Sequence, residues 1–482
     1  MKDIKPHNFD PTMLVLFGAT GHLSANYLLP ALYDMDVMGL LPDSLKIVCV
    51  GRRKLTTKSY LNFIIKKSSG LKHLASHRVR AHFFKHILYY QGDFGNPESF
   101  RGLARLLADR ENPRHLCYNR LYYFATSPEY FLPIANQLKK SGLLVSCSAH
   151  DRKVRILVEK PFGFDLKSAR NLNNTLLRYF TEDQIYRIDH YLGKETVQNL
   201  MVVRFANSLF EPLWNTKYID HIEISSLYSD KVGPRAPFYD EAGALRDVVQ
   251  NHILQMMALI TMEEPLELKT ELIRDQKLKI LKSLAPISKK DLPERLVLGQ
   301  YEGYSKEVGK NTRTETFAAL KTYLNLPKWK GVPIYMKSGM ALDKKIAEIS
   351  IHYKELPKCL FRNCAANVMI FRIQPDESVF LQINNKVPGF GVELHQARLE
   401  FSYKMAYTAK LPNAYERLLL DFLQGDQRLF TRSDEIEAAW KFIDSLTKNI
   451  KTISVKKYKP GSGGPKEADA LIQKDGREWW TR

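Results

Sequence analysis

Five apolar residues in a row, Met13-Leu-Val-Leu-Phe17, run into Gly18-Ala-Thr-Gly21, and beyond that turn Leu23, Leu28, Leu29, Ala31 and Leu32 recur at roughly helical spacing. A short apolar run closed by glycine and followed by a helical period predicts a buried strand, a tight turn and a helix. The theme repeats at Lys46-Ile-Val-Cys-Val-Gly51, Leu121-Tyr-Tyr-Phe-Ala125 and Val154-Arg-Ile-Leu-Val158, with helical stretches between them. Strands alternating with helices predict right-handed βαβ units on a parallel sheet. Beyond residue 200 the texture changes, because residues 346–354 and 397–403 alternate apolar with polar side chains, and 367–373 and 378–383 are further strand candidates. Alternation predicts an antiparallel sheet with one covered face. The fold class expected is α/β followed by α+β, with the boundary near residues 185–200. Near the end, Thr431-Arg-Ser-Asp434 offers a capping-box start before the core-facing stripe of Ile436, Ala439, Trp440 and Ile443, and Gly461-Ser-Gly-Gly464 is expected as a surface loop.

Composition narrows the class. The chain has 482 residues, 44% of them hydrophobic, which suits two or more globular domains and excludes disorder, collagen-like repeats and small disulfide-stapled scaffolds. Lys and Arg number 72 against 52 Asp and Glu, a formal charge of +20. Such an excess fits a nucleic-acid face, attraction to acidic lipid, or a site for phosphorylated small molecules. Cys49, Cys117, Cys147, Cys359 and Cys364 are scattered and lack CxxC spacing, so neither a disulfide framework nor a zinc cluster is implied and a reducing compartment fits. The first eleven residues, with Lys2, Lys5, His7 and Asp10, lack an apolar core, and no run of about 18 apolar residues follows, which reads as soluble and cytoplasmic.

Candidate chemistry starts at the glycine turn. Of the dinucleotide fingerprint G-x-G-x-x-G, Leu16 occupies the first position while Gly18 and Gly21 supply the other two. Glycines there let backbone approach a pyrophosphate at a helix N-terminus, which is the Rossmann-like arrangement. At the end of the next strand Arg52 and Arg53 stand where an acidic residue would hold an NAD ribose; guanidinium forks match a 2′-phosphate, so NADP is the better fit. A second concentration, Tyr186-Arg-Ile-Asp-His-Tyr-Leu-Gly-Lys-Glu195, suits a phosphate-holding turn, and its alternative is a solvated loop. His252 lies in an apolar stretch beside Val248, Val249, Ile253 and Met256, where a lone histidine is more often a core residue than a base. His73, His77, His82 and His86 include pairs spaced by four that could seat a metal on a helix, but neither cysteine nor a nearby carboxylate completes the set, so no metal site is expected. Lys66, Lys67, Lys72, Arg78, Arg80 and Lys85 in the same stretch read as a solvated basic face, since no nucleic-acid motif accompanies them.

The string Arg187-Ile-Asp-His-Tyr-Leu-Gly-Lys-Glu195 followed by Asp247-Val-Val-Gln-Asn-His252 closely resembles the signature of glucose-6-phosphate dehydrogenases. The likeness continues through Glu159-Lys-Pro-Phe-Gly163, residues 273–282, Gly299-Gln-Tyr301, Thr314-Glu-Thr-Phe-Ala-Ala-Leu320, Gln374-Pro375, residues 414–421 and Asp475-Gly-Arg-Glu-Trp479. The resemblance implies an NADP-binding Rossmann-like domain over 1–190 and a β+α substrate and dimerisation domain over 191–482, built on a large mostly antiparallel sheet and paired as a homodimer or homotetramer. It implies that His252 removes the proton of the sugar's C1 hydroxyl and that Asp189 orients the imidazole, while C1 of glucose 6-phosphate passes hydride to NADP. His190, Tyr191 and Lys194 match the phosphate turn, Lys160 a position between sugar and coenzyme, and Asp247, Lys345 and Gln374 further substrate contacts. On the coenzyme side Gly18, Ala19, Thr20, Gly21, His22, Leu23, Ser24 and Arg52 carry over, with Arg53 as helper and Asp93 and Phe94 as a weaker match.

Four positions depart from the family's pattern. His22 replaces an aspartate, Tyr27 a lysine, Tyr228 a sugar-binding glutamate, and Met340 the lysine of a Gly-Lys pair. Because the base and its aspartate remain, these departures point to altered sugar affinity or specificity. The alternative is a member without turnover that serves as a regulatory or structural partner subunit.

Overall fold

Residues that repeat as unbroken apolar runs form strands covered on both faces. The computed structural model describes residues 10–71, 77–111, 118–145, 153–408 and 411–480. Lys2, Lys5, His7, Lys72, His73, Cys117 and Cys147 lie outside them, as do the side chains of His77, Arg78 and Arg80. Packing divides the chain into two units: Met1–Gly163 with Lys167–Gly193 and Pro412–Ser433, and Phe164–Leu166 with Lys194–Leu411 and Asp434–Arg482.

In the first unit, β1 (Thr12–Phe17), β2 (Lys46–Gly51), β3 (Ile87–Gln91), β4 (Asn119–Phe124), β5 (Val154–Val158) and β6 (Ile185–Arg187) pair in parallel in the order β3-β2-β1-β4-β5-β6. Every residue of β1 and β5 is buried, which is why neither shows an alternating pattern. Phe17 anchors the core, its ring stacked on Phe100 and met edge-on by Phe94 and Phe124. In this order the connections reverse between β1 and β4, and a crevice at their carboxyl ends is where such sheets bind ligands. Helix Ala414–Gln424 also belongs to this unit; Asn413 caps it by accepting from the backbone of Tyr415 and Glu416.

The second unit holds β7 (Ile219–Leu227), β8 (Leu296–Tyr301), β9 (Phe317–Thr322), β10 (Ile334–Gly339), β11 (Ile346–Tyr353), β12 (Val368–Gln374), β13 (Ser378–Lys386), β14 (Leu394–Ser402) and β15 (Val455–Tyr458). They form one sheet ordered β14-β13-β12-β11-β7-β10-β9-β8-β15, antiparallel except where β10 joins β7 and β15 joins β8. Tyr239, Tyr301, Phe317, Tyr335, Tyr458 and Trp479 build a core against it, and the Trp479 indole donates to the Ala468 carbonyl at 2.9 Å.

Two local expectations change and one holds. Thr431 does not cap the helix Ser433–Thr447, since its hydroxyl donates to the Arg187 carbonyl instead, at 3.3 Å. The stretch around Gly464 is a surface loop as expected, with Gly461 and Gly463 exposed, and it is pinned: Gly461 N–H bonds the Ala341 carbonyl, Ser462 bridges to Leu342, and a side chain at Gly464 would press on Phe317. Cys359 and Cys364 form a disulfide, because the connection between β11 and β12 turns back within five residues and brings their Cα atoms to 6.1 Å. Scattering of cysteines along a chain does not report a local turn.

Candidate functional site

The glycine turn of the first unit is held from beneath by backbone. Gly18 and Ala19 both donate to the Val50 carbonyl at 3.1 Å, Gly21 donates to the Gly18 carbonyl, and the Ser24 hydroxyl donates to the same oxygen at 3.0 Å. Gly18 has φ +86°, and a Cβ there would overlap the Ala125 carbonyl, so only glycine fits. The Tyr60 hydroxyl fastens Ala19 at 3.0 Å and Lys67 fastens Thr20 at 2.6 Å. Leu23 leads into a wide helical turn, Ser24–Leu28, before helix Leu29–Val37.

Arg52 and Arg53 end β2 exposed, one guanidinium 5.7 Å over the Tyr130 ring and the other 5.1 Å over Phe63. Stacking fixes the guanidinium planes without using their N–H donors, and among the described residues neither has a carboxylate partner. Asp93 closes β3 by accepting from Gly95 N–H at 2.8 Å. Phe94 is 5% exposed with its ring edge-on to Phe17 and Tyr130, a core position. Next to Lys160, burial pushes the Glu159 carboxyl up to about 7, opposed by the Tyr123 hydroxyl that donates to it at 2.6 Å and by Lys160.

After β6, Asp189 is 3% exposed and accepts from Tyr191 N–H at 3.0 Å. His190 lies parallel to Tyr415, with ring centres 6.3 Å apart; Tyr415 meets Tyr27 at 5.5 Å, and Tyr27 meets His22 at 6.0 Å. The departures at His22 and Tyr27 therefore join an aromatic series that runs from the glycine turn to the turn at His190. Tyr415 is the member that spacing in the sequence could not place, because it enters from a helix more than 200 residues away.

The second unit opens on Lys194, which immediately precedes helix Glu195–Phe205 and whose ammonium donates to Gln374 Oε1 at 2.7 Å. Burial pushes the Lys194 amine down, Glu377 opposes that shift, and Lys345 adds to it. Lys345 is exposed and pairs with Asp230 at 3.3 Å. The structure thus gathers Lys194, Gln374 and the field of Lys345 from three elements distant in sequence.

His252 is 1% exposed and lies on a π-helical segment, Leu245–Ile253. The cause lies just upstream: Gly243, at φ +68° and ψ 177°, breaks the preceding helix, and a Cβ there would strike the Glu315 carboxylate. Glu315 accepts the Leu245 N–H at 3.2 Å, and burial pushes its carboxyl up to about 7. Wide helical turns of this kind are common at functional sites. Asp247, on the same segment, accepts from Arg235 at 2.7 Å, and Asn251 donates to the Asp247 carbonyl at 3.0 Å. Glu315 and Arg235 were not picked out from the sequence; the first lies within the Thr314-Glu-Thr-Phe string, while the second has no signal beyond its charge.

The remaining departures are packed as apolar groups. Met340 is 8% exposed in the Tyr239 and Phe317 cluster, and Tyr228 leans on the same cluster while accepting from the Ser226 hydroxyl at 3.2 Å. One sequence expectation fails elsewhere, because a carboxylate does reach the histidine stretch: Asp36 Oδ2 stands 3.1 Å from His82 Nδ1. Helix Leu29–Val37 delivers it from more than 40 residues upstream.

A β3-β2-β1-β4-β5-β6 sheet with a glycine turn and paired arginines, joined to a β+α unit with a buried histidine, defines a two-unit protein of the nucleotide-binding α/β class. The family description "Glucose-6-phosphate dehydrogenase, NAD binding domain" matches residues 15–199, and "Glucose-6-phosphate dehydrogenase, C-terminal domain" matches 201–480. The chain belongs to the glucose-6-phosphate dehydrogenase family. It is 39% identical to the glucose-6-phosphate 1-dehydrogenase of Borreliella burgdorferi over 497 residues, covering 100% of both chains. Against the enzyme of Bacillus subtilis (strain 168) it is 39% identical over 500 residues, covering 99% of this chain and 100% of that one. A solved glucose-6-phosphate dehydrogenase in complex with its substrate glucose-6-phosphate superposes with a TM-score of 0.91 at 31% identity, covering 98% of this chain and 99% of that one.

Proposed function

We infer that this protein is an oxidoreductase that oxidises glucose 6-phosphate at C1 with NADP, giving 6-phosphogluconolactone and so opening the oxidative pentose phosphate pathway. The observation that carries the reading is the full-length 39% identity to glucose-6-phosphate 1-dehydrogenases. The Gly18 turn, which a side chain would fill, and the unpaired forks of Arg52 and Arg53 suit a dinucleotide with a 2′-phosphate. When bound, NADP supplies the hydride acceptor. His252 takes the proton of the C1 hydroxyl as that oxygen becomes acidic, and Asp189 orients the imidazole and stabilises its charged form. Lys194 with His190 and Tyr191 holds the sugar phosphate; Asp247, Lys345 and Gln374 hold the sugar, and Lys160 positions it toward the coenzyme. Gly18 to Ser24, Arg52, Arg53 and Asp93 hold the coenzyme, with Phe94 supporting them from the core.

The domain division follows the same reading: residues 1–190 bind coenzyme and 191–482 bind substrate and dimerise, except that Pro412–Ser433 packs in the first unit. Support for pairing as a homodimer or homotetramer comes from edge strand β14, where Leu399 is 58% and Phe401 38% exposed. Light scattering of the purified protein tests it. No helix among the described residues is long and apolar enough to cross a membrane; residence in the cytoplasm is part of the proposal, and cell fractionation tests it. Steady-state assays with NADP and a panel of hexose 6-phosphates test the activity. Turnover of glucose 6-phosphate is expected, with sugar selectivity shifted by Tyr228 and Met340, and no turnover on any sugar would leave the regulatory-subunit reading. Arg52→Ala is expected to raise the Michaelis constant for NADP far more than that for NAD.

A further inference from the structure

Among the described residues the buried carboxylate of Asp36 pairs with imidazoles alone. Its side chain is 3% exposed and stands at the C-terminal end of helix Leu29–Val37, where the helix dipole adds further negative potential. Among the described residues its ion-pair partners are two imidazoles, with no lysine or arginine. Burying an ionised carboxylate without a full counter-charge is costly, so something must compensate it.

The imidazoles are arranged for more than pairing. His86 is 6% exposed, and its Nδ1 stands 2.8 Å from the Leu45 carbonyl. A carbonyl can only accept, so Nδ1 carries the hydrogen, and Nε2 is the ring nitrogen left to face Asp36 Oδ1, at 3.8 Å. That is too long for a hydrogen bond. Anchoring one ring nitrogen on a carbonyl so that the other faces outward is how metal-binding histidines are held. His82 stands with Nδ1 3.1 Å from Asp36 Oδ2, and its other nitrogen faces Asp43 at 3.7 Å. One ligand atom from each of Asp36, His82 and His86 falls within 4.8 Å of the others. A tetrahedral ion with bonds of about 2.0–2.1 Å requires ligand atoms roughly 3.4 Å apart, and the carboxylate stands on that scale from both rings, Oδ2 at 3.1 Å from His82 and Oδ1 at 3.8 Å from His86.

We propose that Asp36, His82 and His86 bind a divalent transition-metal ion of the zinc class, with the fourth position open to solvent beside the half-exposed His82 ring. The set joins helix Leu29–Val37 to helix His77–Phe84 and to the segment entering β3, at the amino end of the strand whose carboxyl end carries Asp93. The ion is therefore structural, tying a helix to the sheet edge, and takes no part in hydride transfer.

The test uses the full chain, stripped with EDTA, dialysed and titrated with zinc ion by calorimetry, with cobalt(II) absorption as a second readout. One zinc per chain and a tetrahedral cobalt spectrum are expected. Asp36→Asn and His82→Ala should each weaken zinc binding by at least about tenfold and abolish that spectrum, since loss of even an outer partner costs roughly 10- to 100-fold. Turnover with sugar phosphate should stay unchanged in His82→Ala. Failure of the intact chain to bind zinc and develop cobalt absorption would overturn the proposal. So would zinc affinity unaltered in both variants, which would place the ion elsewhere; the intact chain's spectrum keeps the test valid should a variant misfold.

Discussion

On the proposed reading, the two units meet their charged ligands by different means. The coenzyme turn is backbone: Gly18, Ala19 and Gly21 are locked by carbonyls, and its side chains at His22 and Tyr27 have been exchanged without disturbing that lock. The sugar side is side chain: an ammonium on Gln374, a field from Lys345, and an imidazole on a widened helical turn. The difference teaches where change is tolerated. A site made of N–H groups and φ angles survives the loss of a neighbouring charge, whereas a site made of single atoms loses a whole contact with each substitution.

Breaking the side-chain unit at its base should have the largest effect. His252→Ala is expected to lower kcat by roughly 10²–10⁴-fold while glucose 6-phosphate still binds, measured by turnover alongside calorimetric sugar binding. A variant with near-normal turnover would remove His252 from the role of base.

One property should not separate the units at all. Glu159 in the first and Glu315 in the second are both pushed up to about 7 by burial. A carboxyl whose folded pKa is raised adds stability that is fully present below its unfolded value near 4.5 and lost as pH rises through about 7. By that linkage each contributes up to about 3 kcal/mol of the stability lost on going to alkaline pH. Glu315→Gln, which keeps an acceptor for Leu245, should therefore flatten the fall in urea midpoint between pH 5 and pH 8, and Glu159→Gln should do the same; slopes matching the unmodified chain would show that both carboxyls are already ionised at pH 5.

Lys194→Ala should raise the Michaelis constant for glucose 6-phosphate about ten- to a hundredfold, as expected for one charged hydrogen bond of roughly 1.5–3 kcal/mol, and leave that for NADP within a few-fold. Equal changes in both constants would erase the distinction drawn between the units. The smallest effect belongs to Tyr27→Lys. Because backbone holds the turn, restoring the family's lysine should shift the NADP constant by less than about tenfold, the scale of one exposed charge pair; a larger gain would mean that the coenzyme side also depends on single charges.

Much of this was legible in the residues themselves. The strand at Met13–Phe17, its glycine turn and the arginines ending the next strand lie close together in sequence, so periodicity and spacing report them directly. The parallel sheet followed by alternating strands was likewise visible, since burial on two faces or one leaves a different period in the chain. His252 as a candidate base was not readable from spacing, where it looks like a core histidine; only the family resemblance proposes it. Thr431 misled because a capping string is written the same way whether its hydroxyl caps a helix or bonds the Arg187 carbonyl.

What the sequence by itself determined, then, are features whose cause is local: strand burial, the glycine turn at Gly18, the position of Arg52 and Arg53, and the resemblance to a family that the comparisons then showed. Tertiary structure alone decided which distant atoms meet. Lys194 reaches Gln374 across 180 positions, Glu315 stands over Gly243 and accepts from Leu245 at the start of the His252 helix, Tyr415 completes the aromatic series of His22 and Tyr27, and Asp36 arrives beside His82 and His86. A period along the chain records which face of an element is buried, but not which other element buries it, and that partner sets the hydrogen bonds and charges on which the chemistry depends.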